Sequence, residues 1–288
     1  MDSKTLYFGY GSNLNRSDWE RWCAEKGYDA SLLTPVEAAW LPDFSLRFHY
    51  RSSGRKGGAA DVVPDFRGTA VPGMLFSLSE EAWDQLDKKE GHPRYYTRCP
   101  VRVITTSGDF VEATTYVVVS EKKEPQLVPP ADEYHAVVLD GLMNHKLSIE
   151  HLKKAIESFE ANSTLEHVFV YGTLMQGEQR WPQLSSWSSH VQQGSISGGL
   201  YHLGAYPGLR LDEQGTVHGE LHRCEDITNA LAVFDQIEGC DEANPLNGLY
   251  LRVPVQVNVE GATVWAWTYV INRLPADAER LERGRWVR

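Results

Sequence analysis

The chain repeats itself, and that repetition constrains its fold more than any single motif. "LYFGYGSNLN" near the start and "VFVYGTLMQG" past the midpoint both run apolar residues into Tyr-Gly-hydroxyl, at Tyr10-Gly11-Ser12 and Tyr171-Gly172-Thr173. Aligned on those steps, further signals recur in the same order. "VPGMLFSL" from Val71 and "VHGELHRC" from Val217 read as strands with Gly at the third position. Each leads into a helical run, "EEAWDQLDKKEG" or "EDITNALAVFDQIEG", that closes on apolar-Asp-x-x-Glu-Gly, ending at Gly91 and Gly239. Each helix continues through a Tyr to a valine-rich strand, "YYTRCPVRVIT" or "YLRVPVQVNV". Thr-Tyr-Val then follows at Thr115 to Val117 and at Thr268 to Val270.

A duplicated order of elements implies a duplicated domain. At 288 residues the chain exceeds the usual span of one core, so domains over 1–162 and 163–288 are expected. The order strand, loop or helix, strand, helix, strand, hairpin, strand mixes local β pairing with one or two helices per half, which predicts α+β domains with a small curled sheet. Ser79 is placed to cap the first repeat helix, its first-turn acids suit the N-terminus, and Gly91 suits its end. Between the copies, "EKKEPQLVPP" is charged and proline-rich, hence a loop. "LSIEHLKKAIESF" puts Ile149, Leu152, Ile156 and Phe159 on one helical stripe with Ser148 as candidate cap. That helix is expected to pack on the first domain before the crossing near Ala161 to Glu166.

Composition narrows the function classes. With 42% hydrophobic and 23% charged residues the chain reads as an ordered globular protein. A net charge of −11, with no long Lys/Arg run, argues against nucleic acid or an anionic membrane surface as partner and favours a small molecule. Neither a basic segment followed by an apolar one at the start nor a run of about 18 apolar residues is present, so cytoplasm is the default address. Cys23, Cys99, Cys224 and Cys240 lie far apart and read as buried thiols. The ten scattered histidines form no H-E-x-x-H or comparable ligand cluster, so no metal is implied.

The recurrent positions carry the candidate chemistry. A strand that stops at Tyr-Gly can turn backbone N–H groups outward, and Gly lets a ligand approach the main chain, an arrangement suited to an anionic or polarised oxygen. The plainer alternative is a turn in which Ser12 or Thr173 caps the next segment. Glu90 and Glu238 sit in the last turn of a helix, facing the negative end of its dipole, where a purely structural acid is disfavoured. Partial burial there would raise the carboxyl pKa toward neutrality, suiting a group that takes and returns a proton. The alternative is a solvated acid or a salt bridge to Arg94, Arg98 or, in the second half, Arg252. Tyr116 and Tyr269 lie in apolar strands, where either core packing or a substrate hydrogen bond is open. "WAW" at Trp265 to Trp267 alternates across the strand faces and reads as packing rather than base stacking.

"LYFGYGSNL", "GGAADVVP", "VPGMLFSL", "LDKKEGHPRYYTR" and "TTYVVVS", in that order, closely resemble the γ-glutamylcyclotransferase family over most of residues 5 to 160. "YHAVVLDGLMNHKLSIEHLKKAI" is similar to that family's C-terminal helices. The second half, with "FVYGTLMQGE", "YPGL", "VHGEL", "FDQIEG" and "WTYVI", resembles the shorter branch that includes γ-glutamylamine cyclotransferases and related plant defence-induced proteins. The resemblance implies two tandem domains, each a small mixed β-barrel with flanking helices. Its cavity would lie between the Tyr-Gly loop and the glutamate. It assigns the acid/base role to Glu90 and Glu238, the oxygen-binding loops to Tyr10, Gly11, Ser12, Asn13 and Leu14 and to Tyr171, Gly172, Thr173 and Leu174, and cavity positions to Tyr116 and Tyr269. The implied reaction converts a γ-glutamyl amide into 5-oxoproline and a free amine without cofactor. The loops differ, Ser12-Asn13 against Thr173-Leu174, so the sites either take different γ-glutamyl compounds or one has become a partner that shapes the other. A non-catalytic module that binds a small ligand or joins protein partners, and an amide hydrolase or γ-glutamyl transferase, are the competing readings.

Overall fold

A computed structural model describes residues 5–159, 164–241 and 244–287. The chain forms two compact units that divide between Thr164 and Leu165, with Thr106–Phe110 grouped with the second. The expected boundary at 162/163 lies outside the described residues.

In the first unit the elements run β1 (Thr5–Gly9), α1 (Arg16–Lys26), β2 (Thr34–Pro42), β3 (Phe44–Ser52), β4 (Gly57–Pro64), β5 (Ala70–Leu78), α2 (Glu80–Glu90), β6 (Tyr96–Thr105), β7 (Phe110–Val118), α3 (Asp132–Asn144) and α4 (Glu150–Glu157). The second unit runs β8 (His167–Val170), α5 (Trp181–Ser185), β9 (Ser188–Ser197), β10 (Gly199–His202), β11 (Pro207–Arg210), β12 (Thr216–Cys224), α6 (Ile227–Ile237), β13 (Tyr250–Val259), β14 (Ala262–Ile271) and β15 (Glu279–Arg280).

Each half closes into a five-stranded barrel with flanking helices, as the resemblance implies, and the small curled sheet read from the element order is closed on itself. Around the first the order is β1-β5-β2-β6-β7, and around the second β8-β12-β9-β13-β14. These are the same circular order, element for element. Closure is made by one parallel contact in each, Tyr7 opposite Thr114 and Val168 opposite Trp267. Joining first and last strands removes both free edges, which a short sheet would otherwise expose. The shared Gly of "VPGML" and "VHGEL" has a steric cause. A Cβ on Gly73 would stand 2.3 Å from the Gly9 carbonyl oxygen, and one on Gly219 2.2 Å from that of Val170, so only glycine lets these strands pass so close.

Local signals fall where the sequence puts them. Ser79 Oγ accepts the Ala82 N–H, and Gly91 ends α2 in the left-handed region at φ 66°. Asp226 caps α6, and Gly239 has φ 65°. The loop after β7 is irregular apart from one short turn at Ser120–Lys122. In α4, Leu152 is fully buried while Ile149 and Ile156 pack partly against the first core. Ser148 Oγ accepts the Glu150 N–H at 3.4 Å, but the residue at the N-cap is Ile149. Part of the Ala161 to Glu166 crossing lies outside the described residues. All four cysteines are free thiols; Cys23 and Cys224 are buried, whereas Cys99 and Cys240 are half-buried. No described helix is long and apolar enough to cross a membrane, and no described group of three His, Cys, Asp or Glu could hold a metal ion.

Two sets of hydrogen bonds recur in both barrels and join the segment of the Tyr-Gly step to the strand of the Thr-Tyr signal. Thr115 Oγ1 donates to the Phe8 carbonyl and Thr268 Oγ1 to that of Phe169, at 2.8 and 2.9 Å. Tyr10 Oη donates to the Tyr116 carbonyl at 2.7 Å, and Tyr171 Oη to that of Tyr269 at 2.5 Å. Buried hydroxyls must find acceptors, and here they fasten first strand to last.

Candidate functional site

Glu90 is the final residue of α2, and Glu238 caps α6 one residue past its end. The preceding Asp of each repeat holds the helix in place. Tyr116 Oη donates to Asp87 Oδ1 at 2.5 Å, and Arg98 grips the same carboxylate with two bonds of 2.9 and 2.8 Å. In the second barrel Tyr269 Oη donates to Asp235 Oδ1 at 2.8 Å, with Arg252 Nε 3.4 Å from that oxygen. This Tyr-Asp-Arg cluster explains why the apolar-Asp-x-x-Glu-Gly and Thr-Tyr signals travel together. It also means that each tyrosine hydroxyl is engaged by the helix, although the Tyr269 ring lines the second pocket. Arg98 and Arg252 pair with the aspartates, not the glutamates.

In the first domain Glu90 meets the Gly loop directly. Asn13 Nδ2 donates to Glu90 Oε1 at 2.8 Å and to Tyr7 Oη at 2.8 Å. Lys89 Nζ donates to Asn13 Oδ1 at 2.9 Å and to Asp18 Oδ2 at 3.2 Å. Arg55, from the β3–β4 turn, holds Asp18 with bonds of 2.9 and 2.6 Å, donates to Ser12 Oγ at 3.0 Å, and lies 5.0 Å over the Tyr134 ring. Ser12 therefore serves Arg55. The cap of α1 is Asn15, whose side chain accepts the Asp18 N–H. Burial pushes the Glu90 carboxyl pKa up, and Lys89, Asn13 and Arg55 pull it part of the way back. Burial also opposes ionisation of Asp18, but Arg55 and Lys89 outweigh it and hold that group well below the usual carboxylate range. Leu14 is buried beside the loop, and the Tyr96 hydroxyl donates to the Ala60 carbonyl at 2.8 Å.

In the second domain Glu238 lines a small cleft of about 30 Å³, whose wall is the continuous stretch Phe169 to Leu174 and whose remaining lining includes Tyr206, Pro207 and Tyr250. Tyr171, Gly172, Thr173, Leu174, Tyr269 and Glu238 are thus brought together. Pro207 lies close over the loop: a Cβ on Gly172 would stand 2.5 Å from Pro207 Cγ. Tyr250, which holds the position of Tyr96 in the repeat, donates its hydroxyl to the Pro207 carbonyl. Burial raises the Glu238 pKa to about 7, opposed only by the charge of Arg180. Arg180 Nη1 donates to the Ile237 carbonyl at 3.2 Å. A carboxyl that is half protonated near neutrality can both accept and donate a proton.

Several of these neighbours carried no local signal. Asp18 and Arg55 meet across 37 residues of sequence, Arg180 precedes α5, and Tyr206 and Pro207 come from the β10–β11 pair, which stands where β3–β4 does in the first half. Lys89 adjoins Glu90 in the chain, and Tyr96 and Tyr250 are the recurrent tyrosines that lead the valine-rich strands, so aligning the repeats is the signal that finds them.

Comparison with known proteins gives the same answer for both halves. Residues 7–136 and 168–288 each match the family described as gamma-glutamyl cyclotransferase, AIG2-like. The gamma-L-glutamyl-butirosin B gamma-glutamyl cyclotransferase of Niallia circulans is 36% identical over 110 residues, covering 38% of this chain and 69% of that protein. The gamma-glutamylcyclotransferase of Bos taurus is 28% identical over 165 residues, covering 54% of this chain and 79% of that one. A solved gamma-glutamyl cyclotransferase structure aligns with a TM-score of 0.45 and 25% identity, over 56% of this chain and 90% of the other. With matching stretches in both halves, the chain belongs to the gamma-glutamyl cyclotransferase, AIG2-like family.

Proposed function

We propose that the protein cyclises the γ-glutamyl group of a γ-glutamyl amide to 5-oxoproline and releases the free amine, with Glu90 and Glu238 as the acid/base groups of the two domains. The observation that carries this reading is the pairing, in each barrel, of a partly buried glutamate of raised proton affinity with the Tyr-Gly loop.

The substrate supplies its own nucleophile. Its α-amino nitrogen attacks the γ-carbonyl carbon, a ring C–N bond forms, and the bond to the leaving amine breaks. Because nucleophile and electrophile are tethered, holding the chain folded contributes several kcal/mol through effective concentration. The glutamate accepts the proton that the α-ammonium must lose and returns it to the departing amine nitrogen, and the second proton shed by the new ring nitrogen passes to the released amine, leaving a neutral lactam and an ammonium product. Backbone N–H groups of the Gly loop serve as donors to the tetrahedral oxyanion. The net change is one amide bond broken and one formed, so neither water nor cofactor is consumed. Glu238, with its pKa near 7, suits both proton transfers at neutral pH. The Niallia relative is named for gamma-L-glutamyl-butirosin B, which is compatible with a γ-glutamyl headgroup held constant while the leaving amine varies.

The test is to incubate the full chain with a panel of γ-glutamyl amino acids and amines and follow 5-oxoproline, with Glu90→Gln, Glu238→Gln and the double variant in parallel. Loss of product in one single variant identifies the working domain for that substrate. Free glutamate in place of 5-oxoproline replaces cyclisation with hydrolysis. No product across the panel leaves a binding module.

A further inference from the structure

The two copies keep the glutamate but exchange three of its surroundings together. Aligned on the Tyr-Gly step and on the Glu-Gly step, Tyr7, Asn13 and Lys89 of the first domain correspond to Val168, Leu174 and Ile237 of the second. In the first domain those three polar groups form one chain of hydrogen bonds, Lys89 to Asn13 at 2.9 Å and Asn13 to both Tyr7 and Glu90 at 2.8 Å. Three bonded partners replaced at once by three apolar residues is the pattern of a unit that is kept or lost whole.

The direction of the chain is set by chemistry. A carboxamide has a donor end and an acceptor end that differ little in shape, so its orientation follows from its partners. An ammonium group only donates. Lys89 therefore fixes the oxygen of Asn13 toward itself, and the NH2 group must face Glu90 and Tyr7. Without Lys89 the amide could turn its oxygen to the Tyr7 hydroxyl and withdraw its donor from the carboxylate.

We infer that Lys89 is a positioning residue of the first domain: acting through Asn13, it keeps Glu90 Oε1 occupied by a donor and leaves Oε2 for the substrate's amino group. The role of Oε2 rests on the proposed cyclisation; the relay itself does not. Other charges around Glu90 leave Lys89 this task. Arg55, from the β3–β4 turn, is committed to Asp18 and Ser12, and Asp18 of α1 is held by Arg55, Arg21 and Lys89. The Tyr134 hydroxyl of α3 accepts from the Ala60 N–H at 3.3 Å, and that of Tyr96 donates to the Ala60 carbonyl. Among the described residues, Asn13 alone hydrogen-bonds the Glu90 side chain.

A double-mutant cycle read on the carboxyl group itself tests this. The full chain is labelled with 13C at glutamate Cδ, the Glu90 signal is assigned with Glu90→Gln, and its midpoint is measured in the parent, K89I, N13L and the double variant. K89I and N13L install the residues of the second domain. Asp18 keeps Arg55 and Arg21 as partners in K89I, and K89M, which retains most of the stem, is titrated alongside to exclude a packing effect. The expected result is that K89I and K89M each raise the Glu90 midpoint by about one pH unit or more. In the N13L background the K89I shift should fall to less than half, while the Glu238 signal stays put. A K89I shift undiminished by N13L would mean that Lys89 acts only as a charge through space, and no shift would remove its role altogether. Turnover is not needed for the readout, so the relay can fail while cyclisation stands, or stand while cyclisation fails.

Discussion

Glu238→Gln should make the second domain more stable at pH 8 while removing its chemistry. The folded-state pKa of about 7 lies some 2.5 units above the ordinary 4.5, and each unit is about 1.4 kcal/mol of differential stabilisation. Between those two values the folded protein binds more protons than the unfolded chain, so stability falls as pH rises through the window. Below pH 4.5 both states are protonated and the acid contributes no penalty. Above pH 7 the buried carboxylate costs about 3 kcal/mol relative to a neutral group of the same shape. Glutamine supplies that neutral group at every pH. Urea unfolding read by hydrogen-exchange labelling of β13–β14 peptides, variant against parent at each pH, measures the difference in this domain alone. The expected gain is near zero at pH 4 and about 3 kcal/mol at pH 8, with the rise centred between the two pKa values. An equal gain at both pH values, or a loss at pH 8, would refute the claim that burial in the cleft sets this proton affinity.

Three other substitutions probe the frame. His151 is on the buried face of α4, and burial depresses its pKa to about 3, so its neutral form is the folded one and stability is lost as pH falls below the ordinary 6.5; His151→Leu should gain about 2 kcal/mol more at pH 5 than at pH 8 in chemical denaturation. Tyr269→Phe removes the hydroxyl that donates to Asp235 and should cost about 1–2 kcal/mol of stability with KM unchanged, whereas a rise in KM would mean that the hydroxyl reaches substrate. Gly219→Ala drives a methyl to within contact distance of the Val170 carbonyl and should cost about 3 kcal/mol, measured as an earlier urea midpoint at constant slope.

What was legible in the sequence is what both copies had to keep. The α+β class, the recurrent strands β5, β6 and β7 with their counterparts β12, β13 and β14, the Ser79 cap of α2, the glycines that end α2 and α6 and the two glutamates all rest on local patterns that recur at matching positions. Closure into barrels was not legible from pattern alone, because it depends on a single parallel contact between first and last strands in each half. The sequence left Tyr116 and Tyr269 between core packing and a substrate hydrogen bond; their hydroxyls donate to Asp87 and Asp235, partners that spacing cannot reveal. Asp18 and Arg55 were invisible for a plainer reason: their meeting requires the barrel to be closed and α1 to be packed, a long-range event with no periodic trace in the chain.

The hydrogen bonds that recur in both barrels stand apart from the groups in which the two sites differ. Thr115 and Thr268, Tyr10 and Tyr171, and the Tyr-Asp-Arg clusters fasten strand to strand and helix to barrel. Tyr7, Asn13 and Lys89 on one side, and Pro207 with Tyr206 on the other, shape what each glutamate faces. The side chains that fasten are therefore different from those that fit, Tyr7 closing its barrel through the backbone alone, and a transplant between the halves needs to carry only the second kind. Exchanging Tyr7, Asn13 and Lys89 for Val168, Leu174 and Ile237 leaves every fastening in place, so the glutamate of one copy can be given the surroundings of the other within a single chain.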